Sequence, residues 1–186
     1  MTSEREIKIA VDDLAALRER LQTAGAEQLH AESFETNELW DRDGSLRGAE
    51  SLLRLRTDGR GSRLTFKGPP SFDGGVKVRL EHETAVADRE QMAAVLTALG
   101  YRPVYRYEKY RQEWQLGSVV VALDRTPIGE FVEFEGNDAT AAAAAAGCDP
   151  AQALAADYLG LYAEWRREHP AAPEFMVFTP PGASDG

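Results

Sequence analysis

The sequence predicts an α+β fold whose strands close into a barrel around a charged interior, with helices packed outside. Three observations carry this. First, five segments place ionic side chains at every second position: Glu4-Arg5-Glu6-Ile7-Lys8, Arg54-Leu55-Arg56, Lys77-Val78-Arg79-Leu80-Glu81-His82-Glu83, Lys109-Tyr110-Arg111 and Glu133-Phe134-Glu135. Residues i, i+2 and i+4 of a strand share one face, so each segment shows an ionic face, and in four of the five the interleaved residues include Ile, Val, Leu or Phe. A merely solvated face needs only polarity, which Thr, Ser or Gln would supply; these positions mix acids with bases. Second, a strand followed by a capped helix occurs twice, which suggests two related halves. Third, 186 residues are enough for one domain with a real core.

The elements follow in order. After the first strand, Asp12 is the expected N-cap of a helix carrying Leu14, Leu17 and Leu21, and Gly25 the stop after it. Strands are predicted over 32–40, 51–57 and 63–68. Asp58-Gly59-Arg60-Gly61 forms a hairpin turn, and Gly68-Pro69-Pro70 ends the strand 63–68 because proline cannot continue a ladder. Residues 71–75 read as a loose loop. The charged strand 77–84 leads to Asp88, which caps a helix bearing Met92, Val95, Leu96 and Leu99 and ended by Gly100. Further strands are predicted over 104–116, 118–124 and 130–134. Asn137 or Asp138 caps an alanine-rich helix, 139–146, halted by Gly147. Asp149 is the expected cap of a last helix, with Pro150 at its first position and Leu154, Tyr158, Leu161 and Trp165 on its apolar face. A tail, 169–186, is rich in Pro, Gly and Ala; its Phe175-Met176-Val177-Phe178 run is predicted to dock on the body and its last six residues to be mobile.

Six ordered blocks resemble the CYTH superfamily, also called triphosphate tunnel metalloenzymes. They are Glu4-x-Glu6-x-Lys8; Leu53-Arg54-Leu55-Arg56; Leu64-Thr65-Phe66-Lys67-Gly68-Pro69; Lys77-x-Arg79-x-Glu81-x-Glu83; Lys109-x-Arg111-x-x-Trp114 with Leu123-Asp124; and Gly129 to Glu135. The resemblance covers roughly residues 2 to 165, within a domain taken as 1–168. It implies a closed antiparallel eight-stranded β-barrel, the triphosphate tunnel, and the activities of a class IV adenylate cyclase, a thiamine triphosphatase or an inorganic tripolyphosphatase. Trp40-Asp41 stands where the family often has Tyr-Phe-Asp, and the chain after Glu164 has no counterpart in the pattern.

With the alternation taken literally, the inward cations are Lys8, Arg54, Arg56, Lys67, Lys77, Arg79, Lys109 and Arg111. The inward anions are Glu4, Glu6, Glu81, Glu83, Asp124, Glu133 and Glu135. The near balance matters because burying an unpaired charge is very costly. Arginines clamp phosphate oxygens in pairs and lysines act as point charges, so the eight cations form the expected triphosphate site. The carboxylates would repel such a ligand, and a hard divalent cation explains them: Mg²⁺ or Mn²⁺ bridges carboxylates to phosphate oxygens. Glu4, Glu6, Glu133 and Glu135 are the expected metal ligands, positions the resemblance also implies. Glu81, Glu83 and Asp124 would serve a second metal or hold arginines in place; for Glu83 and Asp124 a structural salt bridge is the competing reading. Lys8, with Glu133 or Glu135 as base, would take part in hydrolysis. In a cyclase the ribose 3′-hydroxyl would attack the α-phosphorus instead, and a binding domain without turnover is a third reading. The acidic residues count against the third, and hydrolysis is placed ahead of cyclisation.

Composition excludes other classes. A net charge of −10 argues against nucleic acid. The single cysteine, Cys148, excludes an intramolecular disulfide and suits a reducing compartment. No apolar run approaches the roughly 20 residues of a membrane span. The opening Met1-Thr2-Ser3-Glu4 lacks a signal peptide's basic and apolar regions, so the expectation is a cytoplasmic monomer or homodimer acting on a triphosphate small molecule. His30, His82 and His169 have no metal-ligand spacing, and His82 should point away from Glu81 and Glu83. Gly59-Arg60-Gly61 and Gly74-Gly75 are turns, not a phosphate loop, because no Gly-Lys-Ser/Thr follows.

Overall fold

The computed structural model describes residues 2–179. Within them the strands are β1 (Thr2–Val11), β2 (Glu27–Asp41), β3 (Leu52–Asp58), β4 (Gly61–Lys67), β5 (Ser71–Asp73), β6 (Val76–Val86), β7 (Arg102–Leu116), β8 (Val119–Thr126) and β9 (Gly129–Glu135). The helices are α1 (Leu14–Thr23), α2 (Ser45–Gly48), α3 (Arg89–Ala98), α4 (Ala139–Ala145) and α5 (Tyr158–Glu168). Eight strands close antiparallel in the order β1-β9-β8-β7-β2-β3-β4-β6, and β6 returns to pair with β1. The eight-stranded barrel with helices outside is therefore as expected. The two strand–helix–strand units, β1–α1–β2 and β6–α3–β7, meet at equivalent seams: β1 pairs with β6 and β2 with β7.

Period-two alternation sorts the side chains. Ile7 and Ile9 point outward from β1 and pack with Leu17 and Leu21 of α1, Val121 of β8, Phe134 of β9 and Ala139, Ala142 and Ala143 of α4. The alanine run thus has a packing reason, since small side chains let α4 lie close to the sheet. Trp40, Leu55 and Leu64 take α3 through Leu96 and Met92. The largest apolar cluster is outside the barrel, which leaves most of the inside for charge; a smaller one, with Leu39, Tyr107 and Tyr158, reaches the tunnel wall. Leu21 is fully buried at the α1 seam; Leu21→Ala should cost about 2–5 kcal/mol, read from urea denaturation, without changing affinity for a tunnel ligand.

The structure corrects several local expectations. The N-cap of α1 is Asp13, not Asp12; its carboxylate accepts the Ala16 N–H at 2.9 Å. Asp149 caps only a single 3₁₀ turn, Pro150–Gln152, and α5 starts at Asp157, which accepts the Gly160 N–H. Two caps within nine residues compete for one helix, and the second wins because Tyr158 and Tyr162 then face the core. Residues 71–73 form a short strand against β6, not a loop. Asp138 makes no cap bond and accepts from Ser118 Oγ instead. The α2 turn was unforeseen: Asp41 accepts the Arg42, Leu46 and Arg47 N–H groups and folds residues 42–47 around itself.

Residues 175–178 do dock. Met176 is fully buried, its carbonyl accepts the Glu108 N–H at 2.8 Å, and the Phe178 ring lies against Tyr110 and Phe34. The last six residues, expected to be mobile, lie outside the described residues. Among the described residues no helix is long and apolar enough to cross a membrane.

Candidate functional site

One wall of the barrel interior is acidic. Pairing of β1 with β9 sets Glu6 opposite Glu135 and Lys8 opposite Glu133. Directly opposed residues on neighbouring strands have Cβ atoms about 5 Å apart, so Glu6 and Glu135 face each other as like charges. Lys8, 4% exposed, lies 3.3 Å from Glu133, 3.8 Å from Glu6 and 4.0 Å from the centre of the Tyr158 ring. Burial opposes its charge, but Glu133 and Glu6 outweigh burial and hold its ammonium well above the ordinary lysine range.

The cations stand both beside these acids and farther round the barrel, Lys77 of β6 pairing directly with Glu6 and Arg79 with Glu4. Arg54 and Arg56 of β3, Lys67 of β4, and Lys77 and Arg79 of β6 border the same cavity, about 300 Å³ in volume. Lys67 donates to Glu4 at 2.6 Å and sits 2.9 Å from Glu81. Arg56 reaches Glu83 at 3.2 Å. Arg79 is held by backbone: Nε donates to the Gly68 carbonyl at 2.6 Å and a terminal nitrogen to the Glu50 carbonyl at 3.0 Å. Glu50 takes φ 51° to present that carbonyl, a conformation uncommon for a residue with a side chain.

Every predicted site residue lines this cavity except Asp124. Asp124 is fully buried behind the wall, where its oxygens accept from Lys109 at 2.9 Å, Arg111 at 2.6 and 2.7 Å and the Tyr158 hydroxyl at 2.6 Å. With both oxygens engaged, it anchors cations, so of the two readings left open for it the salt bridge fits and the metal ligand does not. Arg111 runs on to bond Glu133. His82 is exposed on the outer face, consistent with its expected direction. Trp40 is buried with Leu55, Val86 and Leu96 under α3, and it also borders a cavity beside the tunnel.

Sequence reasoning missed Glu35, Tyr158, Asp157, Arg60, Arg63 and Glu113. Glu35 is 1% exposed, accepts from Asn37 at 2.9 Å and lies near Lys109 and Arg56. Burial would raise its carboxyl, but Lys109 and Arg111 hold it well below the ordinary range. Its signal was present: Glu35-x-Asn37 is a further polar alternation inside a predicted strand. Tyr158 and Asp157 could not be found that way, because they reach the tunnel from a helix.

The charge is unevenly satisfied. Burial, then Glu133, raises the Glu6 carboxyl, and burial, then Glu4, raises Glu135 to about 7. Glu133 goes the other way: burial opposes, but Arg111, Lys109 and Lys8 hold it well below its ordinary range. On the basic side, burial pulls Arg56, Lys77 and Arg79 below their ordinary values. The tunnel therefore holds cations that an anion would relieve, and a carboxylate pair that a cation would relieve.

Among the described residues no three acidic, histidine or cysteine side chains stand together as a ready metal cage. Magnesium seldom uses such a cage; one or two carboxylates, waters and substrate phosphates usually complete its shell. The opposed Glu6 and Glu135 fit that donor set.

Two further cavities adjoin the tunnel. One, about 230 Å³, shares Arg60, Arg111 and Glu113 with it at the β3–β4 hairpin end. The other, about 560 Å³, shares Leu39, Leu52, Lys77, Arg79, Asp157 and Leu159 with it at the other end.

The model of the CYTH domain family matches residues 2–155. A candidate adenylate cyclase of Methanocaldococcus jannaschii is 28% identical over 133 residues, 71% of this chain and 75% of its own. A solved candidate adenylate cyclase of Vibrio parahaemolyticus superposes with a TM-score of 0.76 at 19% identity, covering 86% of this chain and 97% of the other. A candidate adenylyl cyclase of Hippeastrum, described as revealing a dominant triphosphatase activity, superposes at 0.57 with 16% identity over 89% and 87% of the two chains.

Proposed function

The chain belongs to the CYTH domain family, and from that premise we propose that it is a divalent-metal-dependent enzyme that hydrolyses a triphosphate bound along the barrel. One observation carries the reading: cations of β3, β4 and β6 line the same cavity of about 300 Å³ as Glu6 and Glu135, which oppose each other on β1 and β9. A neutral ligand would satisfy neither set. A polyanion alone would worsen the acidic one, and a divalent cation alone the basic one; a triphosphate with Mg²⁺ or Mn²⁺ suits both.

In this reading Arg54, Arg56, Lys67, Lys77 and Arg79 bind the phosphate chain, with Lys109 and Arg111 held by Asp124 at its far side. Glu4, Glu6, Glu133 and Glu135 supply the metal's carboxylates, Glu6 and Glu135 foremost because they face each other. Bound there, the ion would polarise phosphate oxygens and lower the pKa of a water. The water's oxygen bonds to the terminal phosphorus as the bond from that phosphorus to its bridging oxygen breaks. Its proton passes to a carboxylate of the acidic wall; Glu135 is better suited than Glu133, whose oxygens are held by Lys8 and Arg111. The products are orthophosphate and the diphosphate. Lys8 neutralises charge developing on the phosphoryl oxygens, the kind of fixed electrostatic help that dominates phosphoryl transfer.

The name of the Methanocaldococcus relative favours a second reading, in which a ribose hydroxyl attacks the α-phosphorus of ATP and pyrophosphate leaves. The deciding experiment offers tripolyphosphate, thiamine triphosphate and ATP, each with Mg²⁺ or Mn²⁺, and follows orthophosphate, pyrophosphate and cyclic AMP separately. Orthophosphate release is expected. Pyrophosphate and cyclic AMP in equal amounts would establish the cyclase instead, and tight binding without any product would reduce the protein to a binding module.

A further inference from the structure

Tyr158 enters the tunnel from a helix, and the mechanism above gives it no part. It is the first residue of α5, set by the Asp157 cap, whose carboxylate accepts the Gly160 N–H. Its side chain is buried, borders the tunnel cavity and has two kinds of neighbour. Phe131 meets its ring edge to face, 5.5 Å between centroids, and Tyr107 lies tilted at 5.9 Å; together they fix the plane of the ring. The Lys8 ammonium stands over that ring, 4.0 Å from its centre, and the Lys109 ammonium is 5.0 Å from it. Both are inside the roughly 6 Å within which a cation is drawn to an electron-rich ring face. The hydroxyl has a separate task, donating to Asp124 at 2.6 Å.

The two lysines differ in how else they are held. Lys109 donates to Asp124 at 2.9 Å. Lys8 stands farther from its carboxylates, 3.3 Å from Glu133 and 3.8 Å from Glu6, so the ring helps to set the place of its ammonium. A ring suits a cation that must be shared. A carboxylate in its place would engage the ammonium's hydrogens directly and leave fewer of the three for a phosphate. The ring attracts through its quadrupole, and more strongly where water is excluded. From this arrangement we infer that Tyr158 is a positioning residue for phosphoryl transfer: the face of its ring holds the Lys8 ammonium off Glu133 and available to the bound phosphate chain, while its hydroxyl anchors Asp124. The inference rests on the triphosphate reading of the tunnel, in which Lys8 neutralises phosphoryl charge, and adds the group that aims Lys8. With an aliphatic side chain there, Lys8 would settle on Glu133, and the phosphate chain would lose its cation.

The test separates ring from hydroxyl, and the charge on the ring face from its shape. Tyr158→Leu removes ring and hydroxyl together and is expected to lower kcat by about 10–30-fold, with KM within about twofold of the parent's. Tyr158→Phe restores the ring and is expected to recover most of that rate, although its thermal midpoint falls because Asp124 loses the phenol. Phenylalanine carrying one, two or three ring fluorines, incorporated at position 158, keeps the ring's shape and weakens its face. Log kcat is expected to fall in near-equal steps along this series, reaching about tenfold below Tyr158→Phe with three fluorines. In the free protein, shielding by the ring should move the Lys8 ε-methylene proton signals upfield in the parent and in Tyr158→Phe, and not in Tyr158→Leu. The fluorine series decides if Tyr158→Leu does not fold. A flat series in an active, folded enzyme overturns the assignment and leaves the tunnel reading intact. So does a loss in Tyr158→Leu that Tyr158→Phe fails to recover, and so do unshifted Lys8 protons in the parent. Failure of the parent to turn over tripolyphosphate, thiamine triphosphate and ATP overturns the tunnel reading, and the positioning role with it.

Discussion

Glu6→Gln is expected to abolish triphosphate turnover and leave the barrel folded. Glu6 stands between a like charge and an unlike one, Glu135 on β9 and Lys77 on β6. It opposes Glu135 across the β1–β9 ladder, burial and Glu133 raise its carboxyl, and its one cation within 4.0 Å among the described residues, Lys8, is shared with Glu133, which is closer. Like charges directly opposite on a sheet destabilise it and unlike charges stabilise it, so neutralising residue 6 removes one of each and should leave the thermal midpoint about unchanged. Glutamine keeps the shape but is a poorer donor to a hard cation. Loss of one such electrostatic element typically costs about 10²–10³-fold in rate, and the same loss is expected in kcat at saturating Mg²⁺ or Mn²⁺. A variant with near-normal kcat would remove Glu6, and with it the opposed pair, from the metal assignment. A midpoint lowered by several degrees would mean that Glu6 is a structural partner of Lys8.

The parts of this site legible in the sequence are those that lie on strands. Side chains alternate strictly along a strand, so once Glu6 is assigned inward, Glu4 and Lys8 follow, and Arg54, Arg56, Lys77 and Arg79 were found by the same count. Glu35 obeys the rule too and was passed over because one acid beside an asparagine looks like ordinary polarity. What alternation cannot report is depth. Asp124 and Lys8 have the same parity, yet Asp124 is fully buried behind Lys109 and Arg111, while Lys8 faces the cavity. Helical contributions were illegible for a different reason. Tyr158 lies beyond the matched residues 2–155, and the sequence offered Asp149 as the nearer cap; only the packing of Tyr158 and Tyr162 against Phe131 and Met176 decides in favour of Asp157. The α2 turn was hidden because Asp41 accepts from the N–H of the next residue and from two more five and six residues on, which no local motif announces.

Asp124→Asn is expected to be the most destabilising of the polar changes inside the barrel, by about 3–5 kcal/mol, the usual cost of breaking a buried ion pair from one side. The carboxylate stands between two cations and a phenol: Lys109 is 1% exposed, and Arg111 reaches Asp124 through two nitrogens. Asparagine fills the same space but brings an N–H₂ group toward donors, so at least one of Lys109, Arg111 and Tyr158 loses its acceptor. Glu35 and Glu133 remain near these cations, which sets the expectation at the lower end of that range. Urea denaturation measures the loss. A second measurement separates anchoring from metal binding. With the carboxylate gone, Lys109 and Arg111 carry uncompensated charge that a tunnel-bound anion would offset, so saturating tripolyphosphate should stabilise the variant more than the parent protein. If Asp124 were a metal ligand, the pattern would reverse: stability close to the parent's, and a weakened response to Mg²⁺ or Mn²⁺. The two outcomes differ in the metal-free protein, before any substrate is added, because the ion pairs exist there and the metal does not.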